Sequence, residues 1–188
     1  MRNGWHLLRA VFFCVCAAAQ AAPAEPGGIT EPQIVPRGAW GALPPNAELM
    51  QEQKPAEIII HHTAERQQPK LSLEVKLRGL QGFAMKPGKV GLLPKPAWGD
   101  VPYHYYIDVS GRIGEGRDPG FAGDGVTNFE NDDRIQIAIE GDFEREEPSK
   151  AEIESLTKLV VWPRNMRSRR KISPDMAITI KPTALAAP

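Results

Sequence analysis

The sequence is nearly devoid of cysteine. Its two cysteines, Cys14 and Cys16, both lie among the first 21 of 188 residues. If that stretch is removed on export, the remaining chain of about 167 residues has no cysteine and can form no disulfide bond. A chain of this size can bury a core that is stable without such bonds. Lipid attachment at either cysteine is disfavoured, because neither follows a run of leucine and small residues.

Acidic residues are also absent from the first 24 residues. Arg2 and Arg9 precede an uncharged run over residues 10–19, and small residues follow. This layout is typical of a secretory signal peptide, and the run is too short to cross a bilayer as a helix. We therefore predict that residues 1–21 are a signal peptide and that the mature protein is exported, to the periplasm or the extracellular space, without a stable membrane anchor.

An excess of either charge is missing as well, since 23 basic residues balance 23 acidic ones. The one basic cluster, over residues 164–171, is short and is most simply a solvated segment. A nucleic-acid-binding protein would need a concentrated basic face, so we predict no nucleic-acid partner. With 41% hydrophobic and 24% charged residues, the composition is that of an ordinary globular protein, which we expect to be a monomer.

Composition and periodicity divide the chain further. Prolines and glycines predict a linker over residues 22–33, before a single domain at 34–162 and a C-terminal segment of different character at 163–188. Apolar spacings of three and four predict a helix over residues 71–84. Ser149 and Glu152 form a capping box that begins another helix, which Pro163 should stop or kink. The sequence also predicts a buried strand at residues 58–60, a β-hairpin formed by residues 103–108 and 112–115, and a central strand at residues 135–139. Two loops are predicted, at residues 87–96 and 118–133.

Histidine is scarce, and two of the four histidines are adjacent. His61 and His62 directly follow the apolar run at residues 58–60, and Thr63 comes next. A histidine leaving a buried strand can hold a metal ion or contact a substrate at the edge of a sheet. The alternative is a strand-end turn with two hydrogen-bonded imidazoles, so the pair alone is weak evidence of a site.

Several motifs surround this pair in a fixed order. They are Pro-Arg-Gly-Ala-Trp at 36–40, Trp-Gly-Asp-Val-Pro-Tyr-His at 98–104, Glu-Gly-Arg at 115–117 and Ile-Ala-Ile-Glu-Gly-Asp-Phe at 137–143. From about residue 34 to residue 162, this succession resembles the zinc amidases of bacterial cell walls, the family that also contains the peptidoglycan recognition proteins and the phage lysozyme-type amidases. The resemblance implies a single α/β domain with a central mixed β-sheet flanked by helices.

The resemblance also implies hydrolysis of the amide between N-acetylmuramic acid and the L-alanine of the peptidoglycan stem peptide. Such an amide needs a Lewis acid, which in the family is a zinc ion held by two histidines and a Cys or Asp. His61 matches the first of these ligands. Tyr103 matches the catalytic tyrosine, whose phenol would hydrogen-bond the attacking water or the oxyanion. The alternative interpretation of Tyr103 is an aromatic residue packed in a hairpin.

Four further residues are implied as substrate contacts: His62, Thr63, Trp98 and His104. A core tryptophan and a threonine that caps a turn are the alternative interpretations of Trp98 and Thr63. Glu115 and Arg117 resemble a family pair that we interpret as structural.

The C-terminal segment departs from the family pattern. There the family carries Gly-His-Arg with its second zinc ligand and Cys-Pro-Gly with its third, whereas here no histidine follows His104 and no cysteine follows Cys16. One donor cannot be expected to retain zinc well. The chain can be a degenerate or truncated copy, a binding protein without catalysis, or a protein with an unorthodox ligand such as Asp175, His62 or His104, which we favour least.

The resulting expectation is an exported peptidoglycan amidase with zinc as cofactor and peptidoglycan or muropeptides as partners. The alternative is a catalytically inactive peptidoglycan-binding protein that lacks a complete zinc site. A secreted zinc protease is disfavoured, because the chain has no His-Glu-x-x-His motif.

Overall fold

The computed structural model describes residues 31–126, 131–165 and 177–180, which form an α/β domain with a six-stranded mixed sheet between helices. This confirms the predicted fold class. The strands and helices, in chain order, are β1 Ile34–Val35, α1 Arg37–Trp40, β2 Glu57–His62, α2 Leu73–Ala84, β3 Gly88–Val90, β4 Leu93–Lys95, β5 Tyr105–Ile107, β6 Ile113–Glu115, β7 Arg134–Ile139, α3 Lys150–Asn165 and β8 Ala177–Ile180. The main sheet has the order β1-β6-β5-β7-β2-β8, and β3 pairs only with β4 in a separate hairpin.

The longest strand pairing in the described sheet is between β2 and β7, which are parallel and in register over all six residues of each strand. Both strands are buried along almost their whole length, because helices cover both faces of the sheet. The predicted central strand at residues 135–139 is therefore confirmed. The predicted hairpin is also confirmed, with β5 and β6 antiparallel.

Helices α2 and α3 lie on opposite faces of the sheet. On one face, Leu73 and Leu77 of α2 pack with Tyr103 and Tyr106. On the other face, Leu159 and Trp162 of α3 pack with the isoleucines of the strands. The capping box of α3 is formed, since the Ser149 N–H donates to Glu152 Oε2 and the Glu152 N–H donates to Ser149 Oγ.

Two details of the sequence-based assignment were wrong, and one of two alternatives at Pro163 is excluded. Residues 87–96 form a hairpin, not a loop, because the glycine Gly91 adopts φ +57° and allows a two-residue turn between β3 and β4. Helix α3 continues through Pro163 to Asn165, so Pro163 does not stop the helix, and a kink at this proline stays a prediction. The histidine pair ends strand β2 and does not follow it.

Several predictions lie outside the described residues: the signal peptide, most of the linker, the basic cluster beyond Asn165, and Asp175. Residues 127–130 of the predicted surface loop are also outside them. Among the residues that are described, no helix is long and apolar enough to cross a membrane.

Candidate functional site

His61 and His62 point to opposite faces of the sheet, because successive side chains of a strand alternate. His61 is on the face covered by α2, where its ring centroid lies 6.0 Å from that of Tyr103 at a 39° tilt. Its neighbour across the sheet in β7 is Ala138, and Tyr106 follows in β5. In this row across the sheet, the small side chain of Ala138 therefore lies between His61 and Tyr106. The structure thus brings together the predicted metal ligand and the predicted catalytic residue.

The backbone segment at Tyr103 and His104 is hydrogen-bonded to the backbone of Gly116 and Arg117. Its carbonyl accepts the Arg117 N–H at 2.9 Å, and the His104 carbonyl accepts the Gly116 N–H at 2.9 Å. A Cβ at Gly116 would lie 2.2 Å from the Tyr103 carbonyl oxygen, so only glycine fits there. Burial raises the pKa of the Tyr103 phenol well above its usual value, so the phenol is a neutral hydrogen-bonding group at physiological pH.

Arg117 is the main support of that segment. Its guanidinium is buried and donates to the carbonyls of Val101, Ala122 and Asp100 and to the Asp124 carboxylate. These contacts agree with the structural role inferred from the sequence.

Asp100 forms a second support that sequence reasoning missed. Its carboxylate accepts from Gln81 Nε2 at 2.8 Å and from the Val101 N–H at 2.8 Å, and it pairs with Arg37 at 2.8 Å. Asp100 therefore ties the segment before Tyr103 to α1 and α2. The only available sequence signal was the position of Asp100 inside the Trp-Gly-Asp-Val-Pro motif.

His62 occupies the other face of the sheet. Its ring stacks on Phe143, with 5.6 Å between ring centroids, and its Nδ1 accepts the Phe143 N–H at 3.0 Å. Phe143 packs against the core cluster that contains α3 residues. This position argues against the predicted contact of His62 with a substrate that lies over His61 and Tyr103.

His104 is completely buried. Its Nδ1 accepts the Gln136 N–H at 2.8 Å and its Nε2 lies 2.9 Å from the Phe121 carbonyl, so both ring nitrogens have backbone partners in the neutral form. A side chain with no accessible surface cannot contact a substrate without rearrangement of the fold. The position of His104 therefore argues against the substrate contact predicted for it and indicates a structural role.

The burial of His104 predicts a pH dependence of stability. Burial, its largest cause, lowers the pKa of this imidazole from 6.5 to about 4. The unfolded chain takes up a proton as the pH falls below 6.5 while the folded chain does not, so stability present above pH 6.5 should be lost towards pH 4, by up to about 3 kcal/mol. Urea unfolding at pH 7 and pH 5 should give a smaller pH dependence for His104→Gln than for the wild type. An NMR titration in which the His104 ring protonates near pH 6.5 would contradict this prediction.

Thr63 and Trp98 have contacts that match their structural interpretations. The Thr63 hydroxyl accepts the Gly141 N–H at 3.0 Å and so joins the ends of β2 and β7. Trp98 is 6% exposed and packs with Ala84 and Val90. A role for either residue in substrate binding stays a prediction.

A buried ion pair borders the same end of the sheet. Lys76 Nζ of α2 lies 2.7 Å from Glu140 Oε2, and both side chains are at most 5% exposed. Glu140 directly follows β7 and also accepts the N–H groups of Gln68 and Val109. The pair fixes α2 over the row that contains His61, and no sequence pattern pointed to it.

The donor set around His61 does not fit a zinc ion. Within the ranges 31–126, 131–165 and 177–180, no group of three His, Cys, Asp or Glu residues is arranged to hold a metal. His62 faces away from His61, and the nitrogens of His104 are occupied by backbone. A zinc site of the kind implied by the resemblance needs three protein donors and an open position.

Comparison with known families decides the relationship. The sequence profile of the N-acetylmuramoyl-L-alanine amidase family matches residues 51–181, more than half of the chain. The chain belongs to this family. The match extends past Trp162 and includes β8, although the family's second and third zinc ligands are not found in that part of the sequence.

Peptidoglycan recognition proteins are among the relatives of this family member. Peptidoglycan-recognition protein SD of Drosophila simulans is 30% identical over 132 residues, which are 69% of this chain and 66% of the relative. Peptidoglycan recognition protein 1 of Rattus norvegicus is 29% identical over 129 residues, again 66% of the relative. The chain thus spans just under two thirds of the length of these relatives.

Solved structures of peptidoglycan recognition proteins share the fold. The Drosophila recognition protein SD has a TM-score of 0.64 at 26% identity, over 79% of this chain and 83% of that one. A human recognition protein, solved in complex with glycosamyl muramyl pentapeptide, has a TM-score of 0.61 at 23% identity, over 78% and 82% of the two chains. The second likeness supports the fold alone.

Proposed function

We propose that the protein is an exported peptidoglycan-binding member of the amidase family, and that a muropeptide lies over His61 and Tyr103. The observation that carries this proposal is the pairing of these two rings, 6.0 Å apart, on the α2 face of the sheet. They come from separate parts of the chain, and each matches a functional position of the family. The match to the N-acetylmuramoyl-L-alanine amidase family and the 30% identical peptidoglycan-recognition protein support the same class of ligand.

The chemistry available to the described residues is hydrogen bonding. The neutral Tyr103 phenol can donate to a carbonyl oxygen of the substrate, and the His61 imidazole can donate or accept beside it. Both side chains are at least 93% buried, so the muropeptide would contact only their exposed edges. Rigid support from Arg117 and Asp100 lowers the entropic cost of such a contact.

Amide hydrolysis is the second candidate function, because it is the reaction that gives the family its name. It requires donors beyond His61, and the described residues do not supply them. We therefore propose that the 188-residue chain binds muropeptides and does not cleave them.

Sedimentation with purified sacculi tests this proposal. In a chelator, the exported protein should co-sediment with sacculi, and His61→Ala should weaken this binding about tenfold, the scale of one or two good hydrogen bonds. His62→Ala is the matched control, since His62 is the adjacent residue with nearly the same exposure, 8% against 7%, but lies on the other face. Equal weakening of sacculus binding by both substitutions would show that the muropeptide does not bind specifically on the face of the sheet that carries Tyr103.

The absence of cleavage is measured in the same samples. No free stem peptide should appear after zinc is added, and Tyr103→Phe should leave the fold intact. Zinc-dependent release of peptides that begin with L-alanine would contradict the non-catalytic proposal and support the amidase candidate. If that release occurs, Tyr103→Phe should slow it by about 10²-fold.

A further inference from the structure

The β3–β4 hairpin carries the most exposed large apolar side chain among the described residues. Leu92, at the tip, is 82% exposed, and Leu93 beside it is 37% exposed. Phe83, on the last turn of α2, is 45% exposed next to the hairpin root. An isolated exposed leucine needs no explanation, but adjacent ones on a projecting turn indicate a contact surface.

The charged side chains of the chain segment that carries this tip are all basic. Residues 75–99 contain five basic residues and no acidic residue. Three of the five are already engaged: Lys76 with Glu140, Arg78 with the Trp40 carbonyl, and Lys95 with carbonyls at the hairpin root. Lys86 and Lys89 remain exposed, and neither makes an ion pair with any residue that the structure describes. The tip thus combines unneutralised ammonium groups with exposed leucines.

The hairpin root is rigid. Lys95 is 2% exposed, and its ammonium donates to the carbonyls of Ala84, Lys86 and Pro96 at 2.8, 2.6 and 2.9 Å. The ammonium also lies 4.4 Å from the ring centroid of Trp98 and 5.0 Å from that of Phe83. These contacts hold β4 against the end of α2, so that the apolar tip of the hairpin stays exposed to solvent.

We propose that this hairpin docks the protein on an anionic phospholipid surface. Leu92 and Leu93 would enter the interface between headgroups and acyl chains, while Lys86 and Lys89 lie at the level of the lipid phosphates. Lysines close to an anionic leaflet each contribute to binding, and leucines gain from leaving water. Two lysines and two leucines give a reversible association, which differs from a stable anchor. None of these four residues belongs to the proposed muropeptide site at His61 and Tyr103, so the docking proposal goes beyond the proposed function.

Vesicle co-sedimentation tests this proposal with the exported, processed protein, whose N-terminus is checked by mass spectrometry. Vesicles of phosphatidylcholine and phosphatidylglycerol in equal parts should bind the protein at low ionic strength about tenfold or more tightly than phosphatidylcholine alone. The double variants Leu92→Ser with Leu93→Ser and Lys86→Glu with Lys89→Glu should each lower the partition coefficient about tenfold or more.

The matched control lies on α3, across the sheet from the hairpin. It combines Ile153→Ser, at a 44% exposed position, with Lys150→Glu and Lys158→Glu, so that its charge change equals that of the lysine variant. Binding to anionic vesicles should change less than twofold in this control. Unchanged thermal unfolding of all variants would exclude loss of fold as the cause.

Three kinds of outcome would overturn the proposal. The first is no binding of the wild type to anionic vesicles, or an equal loss in the α3 control. The second is equally tight binding to a soluble anionic polymer without any effect of the leucines, which would assign the lysines to a polymer ligand. The third is self-association in light scattering that the leucine variant abolishes, which would assign the tip to a second copy. Sacculus binding should persist in the hairpin variants, so this test is independent of the muropeptide proposal.

Discussion

Replacing Arg117 with methionine should lower the free energy of unfolding by about 3 to 5 kcal/mol, the usual cost of removing one member of a buried charge network. The guanidinium is buried and is bound to three backbone carbonyls and to Asp124. Methionine fills similar volume but leaves these acceptors without a donor. Urea unfolding of the two proteins measures the difference.

Arg112 provides the control for this substitution. It pairs with Glu74 as Arg117 pairs with Asp124, but its side chain is 45% exposed. Arg112→Met should therefore cost about 1 kcal/mol or less. Similar losses in the two variants would mean that burial does not decide the contribution of Arg117. Sacculus binding by folded Arg117→Met should also be weaker, because the guanidinium positions the backbone before Tyr103.

We predict that adding the donors implied by the family resemblance gives stoichiometric zinc binding and amidase activity, whereas the unaltered chain, as proposed above, shows neither. Strand β8 pairs with β2 so that Ile180 lies opposite Ile60, the residue before His61. Lys181 follows Ile180 in the sequence, so Lys181→His is the first substitution to make. A second variant would replace residues 181–188 with a family-typical ending that carries Gly-His-Arg and Cys-Pro-Gly. Zinc affinity should rise with each added donor, because tight binding requires several side chains to coordinate the ion at the same time.

Zinc content and release of stem peptide are measured in both variants. The control carries His61→Ala in addition to the complete ending, and it should lose both the bound zinc and the activity. A complete ending that binds zinc equally well with and without His61 would show that His61 is not the first ligand. Activity of the unaltered chain would instead show that its own residues complete the site.

The sequence predicts the centre of this fold well because its signals there are local and strong. The run at Ile58–Ile60 is β-branched and apolar, which favours a buried strand, and such a continuous run is typical of a parallel strand like β2 that is covered on both faces. The capping box at Ser149 predicts the start of α3 for the same reason, because donor and acceptor lie three residues apart.

Features that depend on distant residues were missed. The clamp at Lys95 joins a lysine to carbonyls of another element, and the pair of Lys76 with Glu140 joins residues 64 apart in the chain. Neither leaves a pattern in sequence. The prolines and glycines of residues 87–96 predict a loop, because both residue types disfavour strands in general, whereas Pro94 is tolerated in a two-stranded hairpin.

The positions of the candidate site residues could be predicted from the sequence to different degrees. The match to the family motifs predicts that His61 and Tyr103 share one site, and the structure places their rings on one face of the sheet. The match to the family motif could not reveal that the His104 side chain is buried, because its burial depends on the loop around Phe121 and on β7. The alternation of β2 would have separated His61 from His62 if the strand had been extended through both residues.

The position of β2 inside the sheet has a consequence for solubility. Four residues of β8 cover the outer side of β2, the strand with three consecutive isoleucines. A chain cut before Ala177 would leave the N–H and C=O groups of that side without partners, next to a highly apolar segment. Such an uncovered edge is a template for intermolecular β-pairing, so nicked or prematurely terminated copies should aggregate. Proteolytic trimming of the C-terminus would then remove the protein from solution before it weakened ligand binding.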